Sequence, residues 1–250
     1  MTSAPDFYDV IASDYDSMTR FHQRLKSEEE VLRRWRDRYS FDSVLDAACG
    51  TGLHAIVLAR LGVKTAAADP SRAMLEVARR HASEVRVEVP FVEADFAALD
   101  ARFSDRFGAV LVLGNSLPHV HEESQLTVSL RGLAAVMDGS GILVLQLLNY
   151  ERILAQKERI VGVNRDRDNH FVRFYDFLGD LVQFNILVLR TEGDKVTHRL
   201  SSTILRPYRL AELAPALKAA GLRNVETFGD MTFSPFDPVS SPNLVIVARR

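Results

Sequence analysis

Short apolar segments alternate with helical patterns between residues 43 and 149, and this alternation constrains the fold more than any other feature. Five segments are apolar nearly throughout: SVLDAAC (43–49), KTAAAD (64–69), VPFVEAD (89–95), AVLVLGN (109–115) and ILVLQLLN (142–149). Strands without polar alternation are typical of parallel sheets that helices cover on both faces. The pattern therefore predicts an α/β fold built on a doubly wound, mostly parallel sheet.

Three further regions flank this core. Residues 1–40 have apolar residues at helical spacing and are predicted to form a helical preface. From 150 to 206 the alternation stops, and apolar segments joined by the turns LGDL and EGDK predict an antiparallel β insertion. Residues 207–250 add one helix and two closing strands. We expect a Rossmann-like sheet of seven strands in a single domain over residues 1–250.

The composition limits the class of function. A formal net charge of −2 gives no general attraction to nucleic acid, and the basic run RRWRDR (33–38) is interpreted as an exposed helix face. No apolar run approaches the roughly 20 residues of a membrane span, and the N-terminus lacks the pattern of a secretory signal. We expect a cytoplasmic protein without nucleic-acid or membrane partners, in which the single cysteine, Cys49, is a buried apolar residue.

The segment DAACGTGLHA (46–55) is a glycine-rich loop that matches a dinucleotide-binding fingerprint. Asp69 lies at the distance from the loop at which such sites place the acid that binds the ribose, about 20 residues on. Asp46, however, precedes the first glycine, Gly50, and its carboxylate would repel a pyrophosphate and attract a cationic amine. The loop thus favours a ligand with an amine and a ribose, unless the glycines only allow a tight turn.

Polar residues end four of the predicted strands: Asp46, Asp69, Asp95 and Asn115. The carboxyl ends of parallel strands meet at one edge of a sheet, where α/β proteins bind their ligands. Each of these residues alone is explained by a helix cap or a turn. Together they predict a ligand site, and S-adenosylmethionine (SAM) has the amine, ribose and adenine that such positions would hold.

The segments LDAACGTG, ADPSRAML and EADF resemble the cofactor motifs of the class I SAM-dependent methyltransferases. LGNSLPHV and NYERIL are similar to segments of the glycine N-methyltransferase branch, whose enzymes act on small molecules. The resemblance implies that residues 41–149 bind SAM and that 150–206 form a substrate-side insertion. It also implies a small-molecule acceptor and S-adenosyl-L-homocysteine as the product.

The resemblance further implies individual contacts with SAM. Asp46 would bind the amino group, Asp69 the ribose hydroxyls and Arg24 the carboxylate. Residues that would allow close backbone approach or flank the methionine arm are Ala48, Gly50, Gly52, Leu113 and Asn115. Residues that would lie against the ribose, the adenine or the sulfonium are Ser71, Met74, Asp95, Phe96, Tyr8 and Tyr15; the two tyrosines are alternatively packing residues.

Methyl transfer from a sulfonium is an in-line displacement that needs alignment and exclusion of water more than a strong base. His119 and His121 are the candidate bases, because an ordinary histidine pKa near 6.5 suits proton acceptance; each is alternatively a packed histidine. Tyr15 and Asn115 are expected beside the reacting atoms. No third ligand accompanies the histidines at a metal-binding spacing, so we expect no metal. N-methylation is preferred slightly to O-methylation.

Leu148 is the main departure from the similar enzymes, which have an arginine there that binds the carboxylate of the acceptor. Leucine cannot form the paired hydrogen bonds of a guanidinium, so glycine is not favoured as the acceptor. The insertion could compensate through other polar residues, which are alternatively an exposed sheet face: Arg173, Tyr175, Arg206 and Tyr208.

Three other functions stay open at this point. An RNA or protein methyltransferase is disfavoured by the near-neutral charge. A SAM-binding protein without catalysis is disfavoured by the intact preface and insertion. An NAD-dependent oxidoreductase is disfavoured by Asp46 and by the lack of a Tyr-x-x-x-Lys arrangement. The sequence does not determine the oligomeric state and is compatible with a homo-oligomer.

Overall fold

The computed structural model describes residues 4–250, whose strands form two separate sheets. The strands in chain order are β1 (Ser43–Asp46), β2 (Lys64–Asp69), β3 (Phe91–Glu93), β4 (Phe107–Val112), β5 (Met137–Leu148), β6 (Ile160–Asp166), β7 (Asn169–Leu178), β8 (Leu181–Glu192), β9 (Lys195–Leu205), β10 (Arg223–Phe228) and β11 (Asn243–Arg249). The main sheet has seven strands in the order β10-β11-β5-β4-β1-β2-β3. The second sheet has four strands in the order β6-β7-β8-β9.

The main sheet is parallel except at one strand. β1 pairs in parallel with β2 and β4, and β3 and β5 continue the parallel order outward on each side. β11 lies between β5 and β10 and runs antiparallel to both. The strand centres are fully buried, as a sheet covered on both faces requires: Val44, Leu45, Ala67, Val110 and Val144. The predicted fold class is thereby confirmed.

Eight α-helices accompany the sheets within residues 4–250: α1 (Ala4–Thr19), α2 (Phe21–Tyr39), α3 (Leu53–Arg60), α4 (Arg72–Glu84), α5 (Leu99–Arg102), α6 (Glu123–Ala135), α7 (Tyr150–Gln156) and α8 (Leu210–Ala219). Ser71 caps α4, because its Oγ accepts a hydrogen bond of 3.1 Å from the Met74 amide. Over the same described residues, none of the helices has both the length and the apolar character that crossing a membrane requires.

The predicted preface is the helix pair α1 and α2, and its first three residues lie outside the described residues. Arg20 joins the helices in a left-handed conformation, with φ of 57°. The buried residues of α1 pack between α4 and the second sheet, in a cluster that includes Phe7, Ile11, Met74, Phe171 and Ile186. The preface therefore covers the carboxyl edge of the main sheet on the side where the insertion lies.

The second sheet is the predicted antiparallel insertion, and three of its strands match the segments expected from the sequence. The hairpins turn at Gly179 and Gly193, both with positive φ, as tight turns prefer. α7 and β6 were not predicted. α7 is short, and β6 is an edge strand with a glycine, Gly162, and exposed alternate residues, so neither has a strong apolar period. The assignment of the whole chain to one domain stays a prediction.

Candidate active site

A cleft of about 900 Å³, open at its mouth, lies at the carboxyl ends of β1, β2 and β4, the edge at which the sequence predicts a ligand. We call it the main cleft. Its walls come from α1, α2, the loop after β1 and the ends of β2 and β4. Ten predicted residues line it: Tyr8, Tyr15, Arg24, Ala48, Gly50, Asp69, Met74, Phe96, Leu113 and His119.

The two glycines of the loop after β1 have different tasks. Gly50 lines the main cleft with φ of +52°, and its amide donates to Asp69 Oδ2 at 2.8 Å. Gly52 begins α3 with φ of +87°, and a Cβ there would lie 3.0 Å from the Cβ of Ala78 on α4. Gly52 does not line the cleft. The backbone approach predicted for both glycines is therefore available at Gly50 alone, because Gly52 is required for the contact between α3 and α4.

Asp69 is fixed at the end of β2 by two backbone amides. Its Oδ2 accepts from Gly50, and its Oδ1 accepts from the Ser71 amide at 2.9 Å. Burial raises the pKa of the Asp69 carboxyl to about 6, although the two amide hydrogen bonds oppose the shift. Among the described residues that line the main cleft, Asp69 is the only one with a carboxylate. It can accept hydrogen bonds from the hydroxyl groups of a ligand.

Asp46 does not line the main cleft, and its predicted contact with an amino group stays a prediction. Its side chain is fully buried, and neither oxygen has a hydrogen-bond partner within standard geometry. Burial, and next the charge of Asp69, raise the pKa of Asp46 to about 7. The loop residues Ala48, Cys49 and Gly50 form the wall in this region. A charge on Asp46 would act on a ligand in the cleft through its electric field.

Arg24 lines the far side of the main cleft on α2, where the sequence predicts a partner for a carboxylate. Its guanidinium already pairs with Glu28 at 2.8 Å, and Nη2 lies 3.5 Å from Nε2 of His54. Burial lowers the pKa of His54 to about 4, so this ring is neutral at pH 7. A ligand carboxylate at this place would share Arg24 with Glu28.

Four residues were predicted to contact the ribose and the adenine, and two of them reach the main cleft. Met74 and Phe96 lie on its wall. Ser71 is fully buried, and its hydroxyl is occupied by the Met74 amide and by Asp9 Oδ1. Asp95 is exposed beside Phe96 and caps the turn that follows β3 by accepting from the Ala98 amide. The Ser71 hydroxyl is thus engaged within the protein, and neither Ser71 nor Asp95 lines the main cleft. Their predicted contacts with SAM stay predictions.

Tyr8 and His119 join α1 to the end of β4. The Tyr8 hydroxyl lies 3.0 Å from His119 Nε2, whereas His119 Nδ1 is buried without a hydrogen-bond partner. Burial lowers the pKa of His119 to about 4, so it is a weaker base than an ordinary histidine. Tyr15 lies next to Tyr8, with ring centroids 6.2 Å apart, and burial raises the pKa of both phenols.

A second cavity of about 750 Å³ adjoins the main cleft and extends toward the antiparallel sheet. We call it the side chamber. Five residues line both spaces and so mark their junction: Tyr8, Tyr15, Thr19, Gly114 and His119. The other residues of the chamber wall are Met18, Asn115, Gln146, Leu148, Val161, Arg173, Tyr175, Phe184, Ile186 and Leu205. The two spaces therefore adjoin at residues of α1 and of the segment after β4.

Asn115 lines the side chamber, but its amide is engaged in protein contacts. Nδ2 donates to the Tyr150 hydroxyl at 2.9 Å, and Oδ1 accepts from the Leu148 amide at 3.0 Å. The residue has φ of 66°, a conformation that asparagine tolerates better than most residues. Asn115 therefore fixes the end of β4 to the end of β5 and to α7. Its predicted place beside the reacting atoms stays a prediction.

Replacing Asn115 with alanine is expected to lower the free energy of unfolding by about 2–4 kcal/mol, because two hydrogen bonds are lost and alanine strains the positive φ. Asn115→Gly loses the same hydrogen bonds without that strain and should cost about 1 kcal/mol less. Urea unfolding of both variants measures the difference. Equal free energies of unfolding for the two variants would mean that the positive φ at position 115 does not contribute to the difference.

The structure separates the other polar candidates into two groups. Arg173 and Tyr175 line the side chamber. His121, Arg206 and Tyr208 do not line either space. The His121 ring lies 2.9 Å from the Ile204 carbonyl oxygen, Arg206 donates to the His121 carbonyl, and the Tyr208 hydroxyl donates to the Val120 carbonyl. These three residues connect β9 to the segment after β4. Within residues 4–250, no group of three or more His, Cys, Asp or Glu residues is placed to hold a metal ion.

Gln146 was missed by the sequence reasoning. Its Oε1 accepts from the Gly114 amide at 2.6 Å, and its Nε2 donates to Asn243 Oδ1 at 2.8 Å, within the wall of the side chamber. The signal was present, because Gln146 is the one polar residue inside the apolar run ILVLQLL. The amide of Gln146 is half-buried, and its hydrogen bonds fix the turn after β4.

Comparison with known proteins supplies the family context. Residues 44–141 match a protein-family model described as a methyltransferase domain. The glycine/sarcosine N-methyltransferase of Aphanothece halophytica is 32% identical over 149 residues, which cover 60% of this chain and 56% of that relative. The chain thus matches only about half the length of such relatives.

Solved structures match over most of the chain. The CcbJ methyltransferase of Streptomyces caelestis is 28% identical, covers 83% of this chain and 82% of its own, and gives a TM-score of 0.71. An S-adenosylmethionine-dependent methyltransferase of Clostridium acetobutylicum covers 97% of this chain and 98% of its own with a TM-score of 0.80, at 17% identity, and shows the fold. These matches confirm the resemblance to class I methyltransferases and to their glycine N-methyltransferase-like branch.

Proposed function

We propose that this chain, whose residues 44–141 match a methyltransferase-domain model, binds SAM in the main cleft and transfers a methyl group to a small-molecule amine in the side chamber. The observation that carries the proposal is the junction of the two spaces at Tyr8, Tyr15 and His119. A methyl donor and an acceptor must meet in line with water excluded. Two adjoining spaces that share one buried wall meet this requirement.

The polar groups of the main cleft fit SAM better than a dinucleotide. Asp69 offers a fixed carboxylate to ribose hydroxyls, and Asp46 adds negative potential beneath the loop. Two neighbouring carboxyls with raised pKa values disfavour a pyrophosphate and favour a cationic ligand, whose charge would hold both in their ionised form. Arg24 lies where a ligand carboxylate needs a cation, and Phe96 supplies an apolar surface for an adenine ring.

The residues of this chain would contribute positioning rather than strong base catalysis. Bound SAM would supply a methyl group whose sulfonium already carries the activation. Tyr8 and Tyr15 cover the junction from α1, and the Tyr8 hydroxyl holds the His119 ring. Asn115 and Gln146 fix the turn that forms the opposite wall. His119 Nδ1 is left for a hydrogen bond with the acceptor.

The lowered pKa of His119 supports nitrogen as the methylated atom. An imidazole with a pKa of about 4 removes a proton from a hydroxyl only weakly at pH 7. An amine that arrives neutral needs no base before the displacement. The relatives named glycine/sarcosine N-methyltransferase support the same choice. The acceptor is therefore proposed to be an amine of a small molecule.

Calorimetric titration of the protein with SAM and with NAD tests the ligand of the main cleft. We expect binding of SAM and no heat with NAD, because the carboxyls oppose a pyrophosphate. Tight binding of NAD without binding of SAM would contradict the proposal.

Transfer of a labelled methyl group to amines, phenols, RNA and protein then tests the acceptor class. We expect turnover of small amines above that of phenols at pH 8, where more of the amine is neutral. Turnover of RNA or protein alone would establish the alternative acceptor class. SAM binding without transfer to any of the four would favour a non-catalytic binding protein.

A further inference from the structure

We infer that the acceptor amine also carries a carboxylate and an apolar substituent, and that Arg173 in the side chamber binds this carboxylate. The inference rests on the proposed function, because it treats the side chamber as the acceptor site. It adds the substrate class to that function and assigns a binding residue on the antiparallel insertion.

Arg173 is a guanidinium without an anionic partner. It lies on β7 in the wall of the side chamber, and its Nε is buried without any hydrogen bond. Many other arginines within residues 4–250 form an ion pair, but Arg173 does not. Asp176, which lies on the same strand as Arg173, pairs with Arg159 instead. Partial burial lowers the pKa of its guanidinium, yet an arginine stays charged at any ordinary pH. A desolvated cation of this kind is stabilised by an anion from outside the chain.

The neighbouring strand is shaped around this side chain. Gly162 on β6 pairs with Arg173 in the sheet register, and a Cβ at position 162 would lie 2.7 Å from Arg173 Nη2. The missing side chain leaves space beside β6 that the guanidinium occupies.

The charged residues of the side chamber indicate which charge a bound ligand must carry there. Among the described residues that line it, Arg173 is the only one with a formal charge at pH 7, and no Asp or Glu is present. A simple ammonium ion would find no counter-ion there and would be repelled by Arg173. A carboxylate fits the paired donors of a guanidinium and compensates its charge. The same acceptor can then present its amine at the junction.

The remaining surface of the chamber indicates the body of the acceptor. Six lining residues are large and apolar: Met18, Leu148, Val161, Phe184, Ile186 and Leu205. Contact with apolar surface favours a ligand that buries hydrocarbon there. An amino acid with a large apolar side chain offers a carboxylate to Arg173 and hydrocarbon to this apolar surface.

The test uses the chain of 250 residues saturated with S-adenosyl-L-homocysteine and three matched probes: 3-phenylpropionate, 3-phenylpropionamide and 2-phenylethylphosphonate. We expect the carboxylate to bind and its neutral amide to bind at least about 30-fold more weakly, the loss typical of removing one partner of a buried charge pair. Arg173→Met should lower carboxylate binding by at least about the same factor, and Arg173→Lys by less. Affinity for SAM should not change.

Arg165→Met on the adjacent strand is the matched control, because Arg165 is exposed and donates only to the Arg167 carbonyl. Equal binding of acid and amide, no carboxylate binding to the saturated protein, or unchanged binding by Arg173→Met would overturn the inference. Preferential binding of 2-phenylethylphosphonate would overturn the assignment to a carboxylate. If Arg173→Met does not fold, the acid and amide comparison decides. Failure of the unaltered protein to bind SAM would instead refute the proposed function.

Discussion

Replacing Asp69 with alanine is expected to lower the affinity for SAM by about 3 kcal/mol, or roughly 150-fold, the contribution of two hydrogen bonds to a charged group. Asp69 supplies the carboxylate of the main cleft wall, and both of its oxygens are oriented by the amides of Gly50 and Ser71. Its removal deletes the acceptor for ribose hydroxyls. It also releases the Gly50 amide, and with it the loop that forms part of the wall.

Calorimetric titration with SAM measures this effect, and Asp105→Ala is the matched control. Asp105 is an exposed carboxylate that pairs with Lys64 at 2.9 Å, so its removal changes the net charge equally without touching the cleft. The control should bind SAM like the unaltered protein. An Asp69→Ala variant that binds SAM with unchanged affinity would remove Asp69 from the site, and an equal loss in both variants would reduce its role to net charge.

Replacing Asp46 with asparagine is expected to change how stability depends on pH. In the folded protein the Asp46 pKa is raised from 3.8 to about 7 by burial and by the charge of Asp69. In the unfolded chain the carboxyl has its ordinary pKa. Between these two values the folded state binds the proton and the unfolded state has released it. Raising the pH therefore favours unfolding, and the cost is complete only above the folded-state pKa.

The size of this effect follows from the shift in pKa. About three units at 1.36 kcal/mol each correspond to about 4 kcal/mol between pH 4 and pH 8, taken as an order of magnitude. Asparagine does not titrate, so the free energy of unfolding of Asp46→Asn should gain about this amount relative to the unaltered protein over that range. Any constant cost of burying the amide leaves this pH dependence unchanged.

Urea unfolding at pH 4, 6 and 8 measures the difference between the two proteins. Asp105→Asn is the control of opposite sign, because Lys64 lowers the pKa of Asp105 and the carboxylate stabilises the folded state above its ordinary pKa. The free energy of unfolding of Asp46→Asn could instead differ from that of the unaltered protein by the same amount at every pH. The Asp46 pKa would then be equal in the folded and unfolded states, which would contradict the prediction.

The fold was predictable wherever one local rule acted alone. β2 occupies the predicted residues 64–69, and Ser71 caps α4 as expected, because apolar runs and caps are set by neighbours in the sequence. α7 and β6 were missed. α7 depends on the Asn149 cap, and β6 is an edge strand held by its pairing with β7. Such elements follow from tertiary contacts that a local pattern does not contain.

The candidate site was predictable in position but not in the task of each residue. Asp69, Gly50 and Phe96 lie on the cleft wall as the motif spacing implied. Gly52, Ser71 and Asn115 have the expected residue types at the expected places, yet each is used to hold two elements of the fold together. A motif fixes which residue follows a strand. It does not fix whether that side chain points to the ligand or to a neighbouring helix.

The sequence by itself determined the parallel sheet, the glycine loop and the acidic strand ends, because these depend on apolar runs and on spacing along the chain. Only the tertiary structure decided that Asp46 lies beneath the loop, that the pKa of His119 falls to about 4, and that Arg173 faces a chamber without an acidic partner. These properties arise from desolvation and from charges brought together across distant segments. Both depend on distances in space, which residue order alone does not specify.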